Sequence, residues 1–361
     1  MGVLEARWVV AFAAALLIFP TAMATSTASG ASSTSPAAGG GPTSPSGGTA
    51  PLLGTPPMNW SQSFPSVSPP KRAESMMTFD VADGYFVLFA GHAGNTLLRD
   101  TWKFTPAGGW VQLTPAISPP GRRGGSMVYD GVDHYVVLFG GSNFRHYLND
   151  TWEFHAGKWI PLSPANAPSP RRVAGITYDV ANQRVVLLGG HAGSLSVPAK
   201  YIFYNDTWTF RGGVWTRLMP IVSPAPRGEP MLVYDAVDGY VLAYGGYDYK
   251  ITYADTWTLV GGVWTNITSN VTTSPPARDG AAIAFDYNGS GIVLFGGHWG
   301  ALIYNDMWWY RAGQWLQLHP AVVPPKRGGV PLAWDRAAGY GVIFGGLGVH
   351  GWENDTWVLR A

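Results

Sequence analysis

From residue 60 onward, apolar runs of four or five residues alternate with polar, glycine-containing turns. In a representative stretch, Ser126-Met127-Val128-Tyr129 ends at Asp130, the apolar run Val136 to Phe139 follows, and Gly140-Gly141 stops it. The first segment reads as a half-buried strand, here called a; the continuous apolar run reads as a strand b covered on both faces. Aspartate suits the turn between them because its side chain accepts hydrogen bonds from the backbone two residues on. The glycine pair suits the end of strand b, because glycine adopts positive φ at little cost. Strand c then carries Asp-Thr-Trp, and a turn such as Arg211-Gly212-Gly213 leads into strand d with a second tryptophan. The pattern predicts four short strands in succession.

The unit recurs with a period of about 50 residues, which calls for a repeat architecture. Each copy begins at an arginine, followed eight residues later by an aspartate: Arg72/Asp80, Arg122/Asp130, Arg171/Asp179, Arg227/Asp235, Arg278/Asp286 and Arg327/Asp335. Eleven residues past each aspartate stands the second glycine of a pair, from Gly91 to Gly346, with Ala90 before it in the first copy alone. Asp-x-Trp recurs at Asp100, Asp150, Asp206, Asp255, Asp306 and Asp355. The second tryptophan recurs at Trp110, Trp159, Trp215, Trp264 and Trp315 but is missing from the sixth copy. Trp60 supplies it, because it precedes Arg72 by the same twelve residues that separate Trp110 from Arg122. Four-stranded units with regular aromatic columns are the mark of propeller blades. This pattern resembles the kelch repeat over residues 60–361. The resemblance implies an all-β fold: a six-bladed kelch-type β-propeller closed by pairing of the Trp60 strand with the last blade, so that no seam is left open. The Arg and Asp columns repeat too regularly to be catalytic and read as struts, and twelve of the 17 tryptophans fall in the two structural columns.

The N-terminus stands apart. Val9 to Phe19 is an apolar run preceded by Arg7 and followed by Ala22-Met23-Ala24, so residues 1–24 read as a secretory signal peptide or, uncleaved, as a membrane anchor. Residues 25–57, almost all Ser, Thr, Ala, Gly and Pro, read as a disordered tether. The propeller domain is expected over 58–361, outside the cell or on its surface. With 12% charged residues and a net charge of +1, the chain lacks the basic face of a nucleic-acid binder. It has no cysteine, which removes disulfides, thiolate nucleophiles and thiolate metal sites. Seven Asn-x-Ser/Thr triplets occur, of which Asn266 and Asn270 are the better glycosylation candidates.

Recognition of one ligand requires residues that break the repeat. After each Gly-Gly stand His92, Ser142, His191, Tyr247, His298 and Leu347; histidines in alternate blades lie too far apart to share a metal, so no metal or other cofactor is expected. Two residues past the arginine, Glu74 and Glu229 replace the Gly or Val of the other blades, with Arg123, Arg172 and Asp279 at adjacent positions, and these read as solvated channel lining. The loop between strands b and c is seven residues longer in blade 3 and contains Tyr201. With Asp248, Trp299 and His350, these residues gather the chemical variety on the face carrying the d-to-a and b-to-c loops. No catalytic motif emerges. The copper radical oxidases resembling galactose oxidase need a Tyr–Cys crosslink that this chain cannot form, whereas kelch-type sialic acid mutarotases are not excluded. The leading expectation is a monomeric recognition or scaffold domain for a protein or glycan. The alternative is a carbohydrate-active enzyme using the channel carboxylates and histidines.

Overall fold

The computed structural model describes residues 57–194 and 200–360, nearly all of the compact unit Pro56–Ala361. The expectations for the signal peptide and the tether fall on residues outside those described, save Pro57 at the tether's end. Six four-stranded antiparallel sheets account for the repeats. In blade 1 the strands are a (Met76–Asp80), b (Tyr85–Phe89), c (Thr101–Thr105) and d (Gly109–Leu113), hydrogen-bonded in that order. The a strands touch their neighbours around a closed ring, that of blade 6 (Leu332–Asp335) lying against that of blade 1. This is a six-bladed β-propeller with strand a at the axis and strand d at the rim.

Blade 6 closes as the spacing of Trp60 predicts. Its rim strand is Asn59–Ser63, which pairs antiparallel with Thr356–Arg360, Trp60 opposite Leu359. Trp60 and Met58 are buried against blade 5, with the Trp60 ring 5.3 Å from that of Phe295.

The repeated polar residues hold each blade together. Arg72 donates from Nη1 and Nη2 to both carboxylate oxygens of Asp100, at 2.8 and 2.7 Å. It also donates to the Ala90 carbonyl at 2.8 Å and from Nε to the Pro70 carbonyl at 2.9 Å. The other five arginines repeat the arrangement on Asp150, Asp206, Asp255, Asp306 and Asp355. Each aspartate also accepts from the indole of its Asp-x-Trp partner, as Trp102 donates to Asp100 at 2.6 Å. A planar guanidinium matches a carboxylate in two parallel bonds, so these fully buried arginines are satisfied internally. The turn aspartates act as expected: Asp80 Oδ1 accepts from the Ala82 and Asp83 N–H groups.

A second series joins the blades. The strand-d tryptophans donate to the strand-c threonine of the preceding blade: Trp110 to Thr356, Trp159 to Thr101, Trp215 to Thr151, Trp264 to Thr207 and Trp315 to Thr256. Trp60 breaks the series, because the residue in that position of blade 5 is Met307; its buried indole N–H has no partner among the described residues.

Candidate functional site

The d-to-a segments and b-to-c loops meet on one face of the ring, and the backbone there is as regular as in the blades. The residue after each arginine bridges the residue after each glycine pair: Ala73 with His92, Arg123 with Ser142, Arg172 with His191, Gly228 with Tyr247, Asp279 with His298 and Gly328 with Leu347. The two sets that broke the repeat in sequence are thus hydrogen-bonded neighbours.

The next residue inward closes the channel mouth. Glu74, Gly124, Val173, Glu229, Gly280 and Gly329 all lie in the left-handed region, with φ between 50 and 59°. Their backbones link blade to blade: the Glu74 N–H donates to Gly329, Gly124 to Glu74, Val173 to Gly124, Glu229 to Val173 and Gly329 to Gly280, at 2.6–2.9 Å. Glycine fits this conformation without strain, whereas a side chain carries a penalty of order 1 kcal/mol. Two glutamates are nevertheless held there. Beneath them a cavity of about 230 Å³ is walled by the starts of the a strands, including Met76, Met127 and Met231.

The glutamates are in different company. Glu74 Oε2 accepts from Arg172 Nη1 at 2.7 Å, although Arg172 belongs to blade 3; Arg123 Nη1 and His92 Nε2 lie 3.7 and 3.6 Å from Oε1. Burial alone would raise the Glu74 pKa, but the Arg172 charge, the nearby His92 ring and the Arg123 charge hold it well below the usual range. Glu74 is therefore an ion-paired strut across the mouth, not the solvated lining expected from sequence. The Glu229 carboxylate has no hydrogen bond or ion pair to protein among the described residues; it faces the Asp279 carboxylate and the His298 imidazole, one ligand atom from each lying within 4.8 Å of the others. Burial and the Asp279 charge raise the Glu229 pKa. His298 donates from Nε2 to Asp279 Oδ1 at 2.9 Å; burial would lower its pKa, but that bond and the Asp279 charge raise it.

The remaining candidates divide. His191 is fully buried, with Nε2 accepting from Arg172 Nε at 3.2 Å and lying 3.2 Å from the Tyr247 hydroxyl, and with the Tyr201 ring 4.8 Å away. Burial and the nearby Arg172 hold it neutral, and the long blade-3 loop folds over it, Tyr201–Phe203 pairing with His191–Gly193. His191 packs inside the face instead of presenting itself to a ligand. Asp248 is taken up locally, accepting from the Lys250 and Ile251 N–H groups and the Tyr253 hydroxyl. His350 is exposed, and Trp299 is 50% exposed beside His298. Three aromatics escaped notice in sequence. Phe144 stacks under the Arg123 guanidinium at 4.7 Å, Trp352 meets the His92 ring edge-on at 6.1 Å, and Tyr147 lies 3.5 Å from His191. All three sit in b-to-c loops, and the available signal was the aromatic three residues before the Asp-x-Trp aspartate, where Tyr147 and Trp352 share a position with Phe203. The buried Nε of Arg123 has no partner among the described residues.

A family model described as the KLHDC2/KLHL20/DRC7 Kelch-repeats domain matches residues 109–270. That stretch runs from the last strand of blade 1 through blade 4, and the Arg, Gly-Gly and Asp-x-Trp geometry continues round the rest of the ring. The chain folds as an all-β, kelch-type propeller, and kelch repeats generally mediate protein binding. No curated protein matches the chain.

Proposed function

We propose that the propeller is a recognition domain that binds a protein segment on the face carrying the d-to-a and b-to-c loops. The observation that carries this reading is the polarity of the mouth: Arg123 and Arg172 stand on the side of blades 2 and 3, Glu229 and Asp279 on the side of blades 4 and 5. The partly exposed aromatics Phe144, Trp299 and Trp352 surround it. A segment bearing both charge signs and an apolar side chain complements such a mouth better than a neutral sugar does, and interface energy concentrates on aromatic and arginine anchors. The opposite face offers similar short turns in nearly every blade, such as those at Asp80 and Asp130, with little to tell one ligand from another. The apolar run at residues 9–19 and its small-residue site extend the proposal to a secreted or surface-tethered protein.

The test is selection of a random peptide display library on the immobilised full chain, alongside a glycan array. Enriched peptides are expected to bind wild type and to lose at least tenfold in affinity to a Trp299→Ala/Arg123→Ala variant of unchanged melting temperature. Glycan binding without peptide enrichment, or peptides indifferent to both substitutions, defeats the reading.

A further inference from the structure

We propose that Glu229, Asp279 and His298 form a binding site for one divalent first-row transition ion at the channel mouth. The inference goes beyond the protein-binding reading but shares Glu229 and Asp279 with it: a bound ion would reduce the charge on the acidic side of the mouth, and the metal titration, made without peptide, tests the site separately. Two residues come from blade 5, where Asp279 and His298 are backbone-bonded in both directions, at 3.0 and 2.9 Å. The third comes from blade 4, where Glu229 is left-handed and its N–H donates to the Val173 carbonyl of blade 3 at 2.8 Å. The donors are therefore placed by backbone hydrogen bonds within blade 5 and between blades 3 and 4.

Three observations favour an ion. First, the contrast with Glu74: that carboxylate is neutralised by Arg172 with Arg123 nearby, while Glu229 converges on a second carboxylate without an ion pair to Lys or Arg. Asp279 is buried and paired with His298, whereas the half-buried Glu229 adds a second negative charge beside it that a divalent ion or a shared proton would balance. Second, the spacing fits. The 2.9 Å between His298 Nε2 and Asp279 Oδ1 is about the separation of adjacent ligands each about 2.1 Å from one ion. All three ligand atoms lie within 4.8 Å of one another, so side-chain shifts of about half an ångström would bring the widest pair to the roughly 4.2 Å span of opposed ligands. Third, neighbouring glycines leave the room. A Cβ at Gly328 would stand 2.7 Å from His298 Nδ1, and one at Gly280 would stand 2.7 Å from Glu229 Oε2 and 2.8 Å from His298 Cε1. Gly328 lies outside the left-handed region, so its backbone does not require glycine; the imidazole does.

The two carboxylate oxygens are hard donors that Mg²⁺, Ca²⁺ and Mn²⁺ all accept, and it is the borderline imidazole nitrogen that favours Zn²⁺ or Mn²⁺ over Mg²⁺ and Ca²⁺. Binding replaces the proton between His298 Nε2 and Asp279 Oδ1 with the ion and releases that proton to solvent. Water fills the coordination positions that protein leaves.

The experiment is titration of the chelator-stripped full chain with Zn²⁺ and with Mn²⁺ near neutral pH by calorimetry, together with nitrogen-sensitive pulsed electron paramagnetic resonance of the Mn²⁺ form. One equivalent is expected, with a ¹⁴N coupling. Glu229→Gln, which removes no protein hydrogen bond, and His298→Gln should each weaken binding by ten- to a hundredfold; the second should abolish the ¹⁴N coupling. His350→Ala, at an exposed histidine away from the cluster, should bind as wild type. Absence of stoichiometric binding at millimolar ion, binding unchanged in Glu229→Gln and His298→Gln, or a preference for Ca²⁺ or Mg²⁺ would each overturn the assignment.

Discussion

Replacing Met307 by threonine and by valine tests whether the indole-to-threonine bonds tie blade to blade. Five strand-d tryptophans donate to a buried threonine of the preceding blade, and Trp60 is left without an acceptor because Met307 occupies that place. Threonine and valine are nearly isosteric, so Met307→Thr and Met307→Val lose the same part of a fully buried side chain, about 1–2 kcal/mol at roughly 0.8 kcal/mol per methylene plus a cavity term. An unpartnered hydroxyl in this apolar setting would make the threonine variant less stable than the valine variant by about 1–3 kcal/mol. A hydroxyl that accepts from Trp60 Nε1 is satisfied and relieves a buried donor whose isolation costs about 1–3 kcal/mol. The expected order is therefore inverted: the threonine variant is more stable than the valine variant by about 1–2 kcal/mol, and within about 1 kcal/mol of wild type. Urea unfolding followed by tryptophan fluorescence reads the difference as a shift in midpoint at constant slope. In a Trp60→Phe background the advantage should vanish, since no indole N–H remains. If valine matches or exceeds threonine in the wild-type background, the blade-to-blade bond contributes nothing and the series is a by-product of packing.

Two further predictions concern the polar columns. Arg122→Ala should destabilise by about 3–5 kcal/mol, since it strands Asp150 and the Gly140 and Pro120 carbonyls; a change under about 1 kcal/mol in urea unfolding would show that the columns are dispensable. At Asp80, burial and the Asp83 charge, against two backbone hydrogen bonds, raise the carboxyl pKa to about 6, and its Oδ2 has no partner. A folded-state pKa above the unfolded value of about 3.9 gives a contribution present at low pH and lost as pH rises through 6, about 3 kcal/mol in all, so stability relative to Asp80→Asn should fall by that order between pH 3 and 7; a pH-independent difference would contradict it.

The fold was legible because each landmark is sampled six times. One Gly-Gly or one Asp-x-Trp says little, but five of the first and six of the second in a fixed order fix strand count, strand order and turn positions together. The closure needed a single spacing, the twelve residues from Trp60 to Arg72, matched to the other blades. The strut role of the arginines also followed from regularity, and the structure supplies the partner: the aspartate 28 residues downstream, or 35 in blade 3, where the long loop intervenes. Repetition could not reveal the gap in the Trp–Thr series, because Met307 is one unmatched residue whose consequence falls on a tryptophan nearly 250 positions away.

The candidate site was legible as a set of residues and illegible as a set of contacts. Equivalent repeat positions share a height on the ring, so the sequence places His92, His191 and His298 together on the loop face. Their fates are decided by side-chain reach and by the next blade. Arg172 spans from blade 3 to Glu74 of blade 1, a contact that no blade-local pattern contains. His191 is swallowed by Tyr201, Phe203 and Tyr247, which the seven-residue insertion helps to bring together. A finer signal was nonetheless present. A Cβ at Gly228 would stand 3.1 Å from the His191 ring, and one at Gly328 would stand 2.7 Å from that of His298. Each histidine thus faces a glycine in the following blade, at the position next to the repeat arginine. His92 instead faces blade 2, which has Arg123 there, and its ring turns toward Glu74, Phe144 and Trp352. Reading the rim residue of one blade jointly with the post-arginine residue of the next would have separated His92 from the other two. In a propeller, the informative pair at the mouth crosses the blade boundary, because the side chains of the inner face pack against the neighbouring blade.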